Sequence, residues 1–352
     1  MLEISLFAVV ALVLFLPIAV HSIEKNLEIF LLITGILSVT FSHLWGKEPA
    51  WTVHLLKEMF SAPVMITAAV IAAGLLIFFF RQKITSMIVA AERALGSKLF
   101  CFVLVTVLGL VSSVITAIMA AIILVEVVSA LKLDKKYETR LVILGCFSIG
   151  LGAALTPVGE PLSTICIAKL KGEPYRAGFF FLLRNLGAYI LPGVLGIGII
   201  GALIEPSVKE DTGRDGLAEK ESEGVRDIFI RAGKVYVFIM ALILLGTGFK
   251  PVVDKYIVLL SGALLYWINM LSAVMDNATL AAAEISPAMT VSQIRYILMG
   301  LLIAGGMLIP GNIPNIIAAG RLNIGSKEWA KIGIPLGLGF MLVYFVLFSF
   351  LH

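Results

Sequence analysis

Residues 155–164 read Leu155-Thr156-Pro157-Val158-Gly159-Glu160-Pro161-Leu162-Ser163-Thr164, and residues 308–315 read Leu308-Ile309-Pro310-Gly311-Asn312-Ile313-Pro314-Asn315. Each stretch holds two prolines and a glycine within five residues. Proline lacks a backbone donor and restricts the residue before it, so neither stretch continues a helix. Yet each lies in the middle of a long apolar run, Leu141–Leu170 and Ile294–Ala319. The pattern predicts two half-helices meeting at a polar tip, as in a re-entrant hairpin. Broken backbone facing lipid would leave peptide groups unpaired at several kcal/mol each, so such tips belong where protein or a watery cavity covers them.

The rest of the chain requires a lipid setting. Of its 352 residues, 60% are apolar and 14% charged, against about 25% charged in a soluble domain. Further apolar runs cover Leu2–Val20, Leu27–Trp45, Ala62–Phe80, Leu99–Val128, Ala177–Ile204, Ile228–Phe249, Tyr256–Ile285 and Ile332–Leu351. Segments of about 20 apolar residues are long enough to cross the hydrocarbon as helix. The first run has neither a basic start nor a small-residue cleavage site, and reads as a retained helix. The net charge of +4 is scattered, with no basic stripe suited to nucleic acid. Cys101, Cys146 and Cys166 lack metal-ligand spacing and read as buried small hydrophobes.

Gln82–Arg93 places Ile84, Met87, Ile88 and Ala91 on one face and reads as an amphipathic helix along the interface. Glu205–Asp227, with mixed charge and glycines, reads as a solvated linker. Four parts follow: scaffold helices over 1–61, a first repeat over 62–204, the linker over 205–227 and a second repeat over 228–352. The repeat rests on two matches. Both tips follow a leucine, Leu155 or Leu308, and a glycine-rich approach. The run before each tip carries small polar residues at mid-span, Ser112-Ser113-Val114-Ile115-Thr116 in the first and Ser272-Ala273-Val274-Met275-Asp276-Asn277-Ala278-Thr279 in the second. Such residues suggest a helix that unwinds or packs closely. If the hairpins re-enter without crossing, each half crosses three times, so the second copy is inverted, as in many secondary transporters. The fold class expected is an all-α polytopic membrane protein with two re-entrant hairpins and two discontinuous helices.

Burying an ionisable group in a bilayer costs about 3 kcal/mol or more by insertion scales, so mid-span acids are candidates for function. Asp276 reads either as a helix N-cap after an unwound turn or as a cation ligand that also takes a proton. Glu160, between Gly159 and Pro161, reads either as a loop carboxylate in water or as a second ligand. Glu126 and Glu284, nearer the ends of their runs, read as interface or capping residues. Hard cations want oxygen, which these segments supply through Ser112, Ser113, Thr116, Thr156, Glu160, Ser163, Thr164, Asp276, Asn277, Thr279, Asn312 and Asn315, with carbonyls freed at the breaks. The expected ion is Na⁺, as transported or coupling ion, with no cofactor. Arg184 either snorkels to the near interface or meets a site carboxylate or an anion. No His-Glu-x-x-His, no Gly-x-Gly-Asp and no triad-like setting of His21, His43, His54 or His352 suggests an enzyme.

Paired broken helices and paired Pro/Gly/Asn/Ser/Thr tips resemble the ion-transporter superfamily, which includes NhaD-type sodium/proton antiporters, arsenite permeases and divalent-anion/sodium symporters. Met275-Asp276-Asn277 and Gly311-Asn312-Ile313-Pro314-Asn315 are most similar to the antiporter side, in a compact bacterial and archaeal branch. The resemblance spans roughly Ala62 to Leu351. It implies an elevator-like mechanism, a dimeric scaffold, a multi-pass place in the prokaryotic inner membrane and Na⁺(Li⁺)/H⁺ antiport. Its first sodium site would use Ser112–Thr116 with the first tip, and its second Asp276–Thr279 with the second tip. The symporters carry Ser-Asn-Thr at both tips, and this chain does not, which favours cation exchange over sodium-coupled transport of a small anion.

Overall fold

The computed structural model describes residues 1–20, 23, 26–131, 133–204, 225–274 and 277–351. The described residues form helices and no β-strand. The first three are α1 (Leu2–Ala19), α2 (Leu27–Trp45) and α3 (Val53–Leu95). The next five are α4 (Ser97–Ile115), α5 (Ala117–Ala130), α6 (Lys135–Ala153), α7 (Pro161–Lys169) and α8 (Phe181–Leu203). After the linker come α9 (Val225–Val252), α10 (Gly262–Ile268), α11 (Asn277–Glu284), α12 (Val291–Gly305), α13 (Ile313–Leu322) and α14 (Ser326–Leu351). A π-turn over Val253–Ile257 extends α9, and a 3₁₀ turn over Asn269–Ala273 extends α10.

Among the described residues, five helical stretches are long and apolar enough to cross a membrane: Glu28–Trp45, Ser97–Ile115, Phe181–Leu203, Ile228–Ile257 and Ser326–Phe350. The chain is thus a helical membrane protein of several spans. Large apolar side chains on these helices face outward, including Ile199, Leu203, Val343 and Phe350, as lipid contact requires. The expected linker lies outside the described residues over 205–224, and α9 already begins at Val225, inside the linker's expected end at 227.

One element departs from the sequence reading. The run Ala62–Phe80 and the amphipathic stretch Gln82–Arg93 are a single helix, α3, which begins at Val53 and ignores the 61/62 boundary. No glycine or proline stands between Phe80 and Leu95. Residues such as Arg, Gln, Lys and Glu carry a helix through a polar stretch at little cost. The stop comes at Gly96, where φ is 73°, a conformation glycine adopts freely.

Helices cross closely where small residues let backbones touch. A Cβ on Gly152 of α6 would stand 1.7 Å from the Gly109 carbonyl oxygen of α4, so both must stay bare. Ser42 of α2 donates to the Gly248 carbonyl of α9 at 2.6 Å. α9 lies against α2 and α3, α4 against α6 and α8, and α10 against α12. The short helices pair across the chain, α13 on α5 and α11 on α7. α14 pins the far half: fully buried Trp329 donates to the Gly306 carbonyl at 3.1 Å, and Tyr266 of α10 to the Met341 carbonyl at 2.9 Å.

Candidate ion-binding site

The run Leu99–Val128 does break where its small polar residues stand. α4 ends at Ile115, and Thr116 (φ 78°, ψ 149°) turns the chain before α5 starts. Thr116 caps α5, its hydroxyl accepting from the Met119 amide at 3.3 Å. The first tip closes on this break. The Ala117 amide donates to the Gly159 carbonyl at 2.7 Å, and the Thr156 hydroxyl donates to the Ser113 carbonyl. Within the tip, Thr164 donates to the Pro157 carbonyl at 2.6 Å and Ser163 to the Ala154 carbonyl at 3.1 Å. Gly159 sits so tightly that a Cβ would stand 1.9 Å from the Ala153 carbonyl oxygen. Pro161 opens α7, where its missing N–H costs nothing.

Glu160 stands immediately before Pro161 as the N-cap of α7, and is only 4% exposed. Its Oε2 lies 3.5 Å from Nδ2 of buried Asn277, the first residue of α11. The starts of α5, α7 and α11 therefore meet at one place. Positive helix ends favour an anion there, and Glu160 supplies a carboxylate.

The second tip repeats the glycine packing and the extended cap of the first. A Cβ on Gly311 would stand 2.5 Å from both the Gly305 and Ser272 carbonyl oxygens. Asn312 caps α13 in the extended conformation (φ −153°, ψ 147°) that Glu160 holds before α7 (φ −155°, ψ 160°). Asn315 is fully buried, and its amide donates to the Gly305 and Leu308 carbonyls at 2.8 and 2.9 Å. That leaves its Oδ1 buried with no donor, an acceptor a cation could use. Pro310 lies in a 3₁₀ turn and Pro314 in the first turn of α13. A Cβ on Gly305 would stand 3.7 Å from the Asn277 Cβ, so Asn277 adjoins both tips.

The predicted oxygens thus divide. Glu160, Asn277, Thr116, Thr156, Ser113, Asn312 and Asn315 are buried around the breaks and tips. Several hydroxyls already serve as ties: Ser112 donates to the Gly109 and Ile149 carbonyls at 2.6 and 3.2 Å, and Ser113 to Leu110 at 2.7 Å. Each keeps acceptor capacity. Asp276 and the side chain of Thr279 lie outside the described residues. Arg184 is exposed in the first turn of α8.

Other buried polar residues lie outside the predicted set of ion ligands. Ser272 donates to the Leu301 carbonyl at 3.1 Å. Glu284, read as a capping or interface residue, is 7% exposed, and Asn269 is fully buried. Glu126 does join an interface, with Arg321 of α13 at 3.0 Å. Lys169, ending α7, donates to the Ala282 and Ile285 carbonyls at the end of α11. The available signal was register: Lys169 and Arg321 occupy the same place in the short helix after each tip.

Fold and site define a helical membrane protein with polar helix breaks buried between its spans. Over residues 3–351 the sequence matches the family described as Protein of unknown function (DUF1646), and the chain belongs to that family. No curated protein matches the sequence.

Proposed function

We propose that this chain is a secondary active transporter, a Na⁺(Li⁺)/H⁺ antiporter of the ion-transporter superfamily type, built from two inverted repeats and working by an elevator motion. The observation that carries the reading is Glu160: a carboxylate 4% exposed, at a tip, against Asn277 at the start of another short helix. A buried carboxylate is costly in a membrane protein and marks an ion or proton path by default. Freed carbonyls and amide oxygens nearby suit a hard monovalent cation. One carboxylate that holds Na⁺ when ionised and H⁺ when neutral makes the two ions compete, and competition at an alternating-access site gives exchange.

The repeat is supported by recurring contacts at a constant spacing of 152 positions: Ala153 and Gly305, Gly159 and Gly311, Glu160 and Asn312, Lys169 and Arg321. Glycine meets the carbonyl six positions back in both tips. Ser112 to Ile149 and Ser272 to Leu301 are similar hydroxyl-to-carbonyl bonds whose acceptors keep that spacing, although the donors stand 160 positions apart. In the elevator reading, α5–α7 and α11–α13 carry the ion past α1–α3 and α9, which would also form a homodimer contact.

A second reading is sodium-coupled symport of a small organic or inorganic anion. It is favoured by the positive starts of α5, α7 and α11 meeting at one point, the arrangement that holds an anionic group. Proteoliposomes with an imposed pH gradient separate the two. Antiport requires Na⁺ or Li⁺ to collapse the gradient in wild type, and the effect to be lost in Glu160→Gln or in Asp276→Asn. Sodium-driven uptake of labelled dicarboxylate or oxyanion, with the gradient untouched by Na⁺, would make symport the function. Neither flux would end the transporter reading.

A further inference from the structure

We propose that Glu284, together with Asn269, forms a proton-binding site separate from the ion site at the tips. In its use this deepens the antiport reading and rests on it; the site itself does not. Glu284 ends α11, seven residues from Asn277, which is about 10 Å along a helix. Its carboxylate lies within hydrogen-bonding reach of the Asn269 side-chain amide. Both residues are more than nine-tenths buried, and both keep an acceptor oxygen with no donor, Glu284 Oε2 and Asn269 Oδ1.

Two buried acceptors side by side without a donor are an expensive pair to leave unmet. A proton on the carboxyl supplies the donor that the pair lacks. The charged groups nearby set up the exchange. Lys169 of α7 acts on Glu284 electrostatically while its ammonium is held by the Ala282 and Ile285 carbonyls. Behind Lys169 stand Asp254 and Lys250 of the α9 end, paired at 3.2 Å, with the Ser286 hydroxyl donating to Asp254 at 2.8 Å.

These groups border a cavity of about 270 Å³ between α3, α7, α9 and the end of α11, lined by Glu58, Lys169, Lys250, Asp254, Ile285 and Ser286, Glu58 being the charged group that α3 contributes. The wall is largely apolar but carries these polar groups along one part, and the space is large enough for water beside them. It reaches Ile285 and Ser286, the two residues that follow Glu284, and gives a proton a route between water and the carboxyl. Glu284 at the end of α11 thus binds a proton of its own, in addition to the one that competes with Na⁺ at Glu160 beside the start of that helix.

The test is infrared difference spectroscopy of the purified full chain in lipid nanodiscs, titrated with pH. Wild type should show a protonated-carboxyl band at pH values where a free glutamate, pKa about 4.3, is ionised. One component of the band should vanish in Glu284→Gln and persist in Glu160→Gln, which removes only the tip carboxyl's own component. Asn269→Leu keeps the carboxyl but removes its partner, and should move the band to higher wavenumber; this variant decides the matter if Glu284→Gln does not fold. A wild type without the band, a band unchanged in Glu284→Gln, or one indifferent to Asn269→Leu overturns the proposal. A band that behaves as expected in a protein with no Na⁺-dependent flux would instead retire the antiport reading and keep the site.

Discussion

Arg321 Nη1 stands 3.0 Å from Glu126 Oε1, tying the end of α13 to the end of α5. At their starts the same two helices, which pack together, share an apolar cluster: Ile118, Met119 and Ile122 of α5 with Ala232, Val235 and Ile239 of α9, against which Ile313 packs. The helices therefore run side by side in the same direction. The pair α7 and α11 does likewise, Glu160 meeting Asn277 at the starts and Lys169 bonding the Ala282 and Ile285 carbonyls at the ends. In each pair a basic residue at the end of the post-tip helix fastens the partner helix, by an ion pair in one and by carbonyl capping in the other.

Losing one partner of the Arg321–Glu126 pair should cost more than losing both. The side chains are 27% and 15% exposed, so solvent screens the pair in part and the full cost of breaking a buried pair does not apply. Arg321→Met alone should destabilise the protein by roughly 1–3 kcal/mol. Adding Glu126→Leu should restore most of the loss, because no charge is then stranded. Thermal unfolding of the two singles and the double in detergent measures the coupling. Additive losses would show that the two side chains do not act as a pair.

Gly159 and Gly311 should be equally intolerant of a methyl group. In both, the added carbon would run into a backbone carbonyl oxygen, at 1.9 and 2.5 Å, and backbone cannot step aside as a side chain can. Each Gly→Ala change should cost more than about 3 kcal/mol. Gly172, where a Cβ meets nothing within 4 Å, is the control and should accept alanine with little effect. Near-native melting of Gly159→Ala would mean that the first tip does not hold this close packing.

The sequence carried the lipid setting, the breaks and the tips because each has a strong local signature. Composition alone demands bilayer, and Pro157, Pro161, Pro310 and Pro314 stop helices wherever they stand. Glu160 was legible because a carboxylate in an apolar run has few bland explanations. The continuity of α3 was not, since a polar stretch such as Arg81-Gln82-Lys83 ends a membrane span and yet extends a helix. Nor was the burial of Glu284, which depends on α7 and the Asn269 turn closing around it from distant parts of the chain. The pairing of Arg321 with Glu126 is a contact across the whole molecule, and only the matching register of Lys169 and Arg321 hinted at it.

Thr116 separates backbone from side chain. At φ 78° and ψ 149° it holds a conformation that suits glycine and costs other residues about 1–3 kcal/mol. Its hydroxyl offsets part of that by capping α5, an effect of about 1 kcal/mol. Thr116→Gly should relieve the strain while losing the cap, and Thr116→Ala should lose the cap and keep the strain. Glycine should then be the more stable variant by about 1 kcal/mol or more, against the order of helix propensity. Melting temperatures of the two variants decide it, and alanine above glycine would mean that the turn at Thr116 is unstrained.

Glu160→Gln should leave the fold intact and remove the exchange. Glutamine keeps the shape and the contact with Asn277, so stability should change by no more than about 1 kcal/mol. It holds neither a negative charge for Na⁺ nor a titratable proton. On the antiport reading, a proton and a sodium ion compete for the wild-type carboxylate, and the apparent Na⁺ affinity should fall by about tenfold per unit of falling pH once the proton is the better bound of the two. The measurement is Na⁺ flux into proteoliposomes across a series of pH values. Wild type should show half-saturating Na⁺ rising as pH falls, and Glu160→Gln should show no exchange at any pH. Should the glutamine variant exchange Na⁺ for H⁺ with the wild-type pH dependence, the competing carboxylate is another residue, and Asp276, in the same stretch as Asn277, is the next to replace.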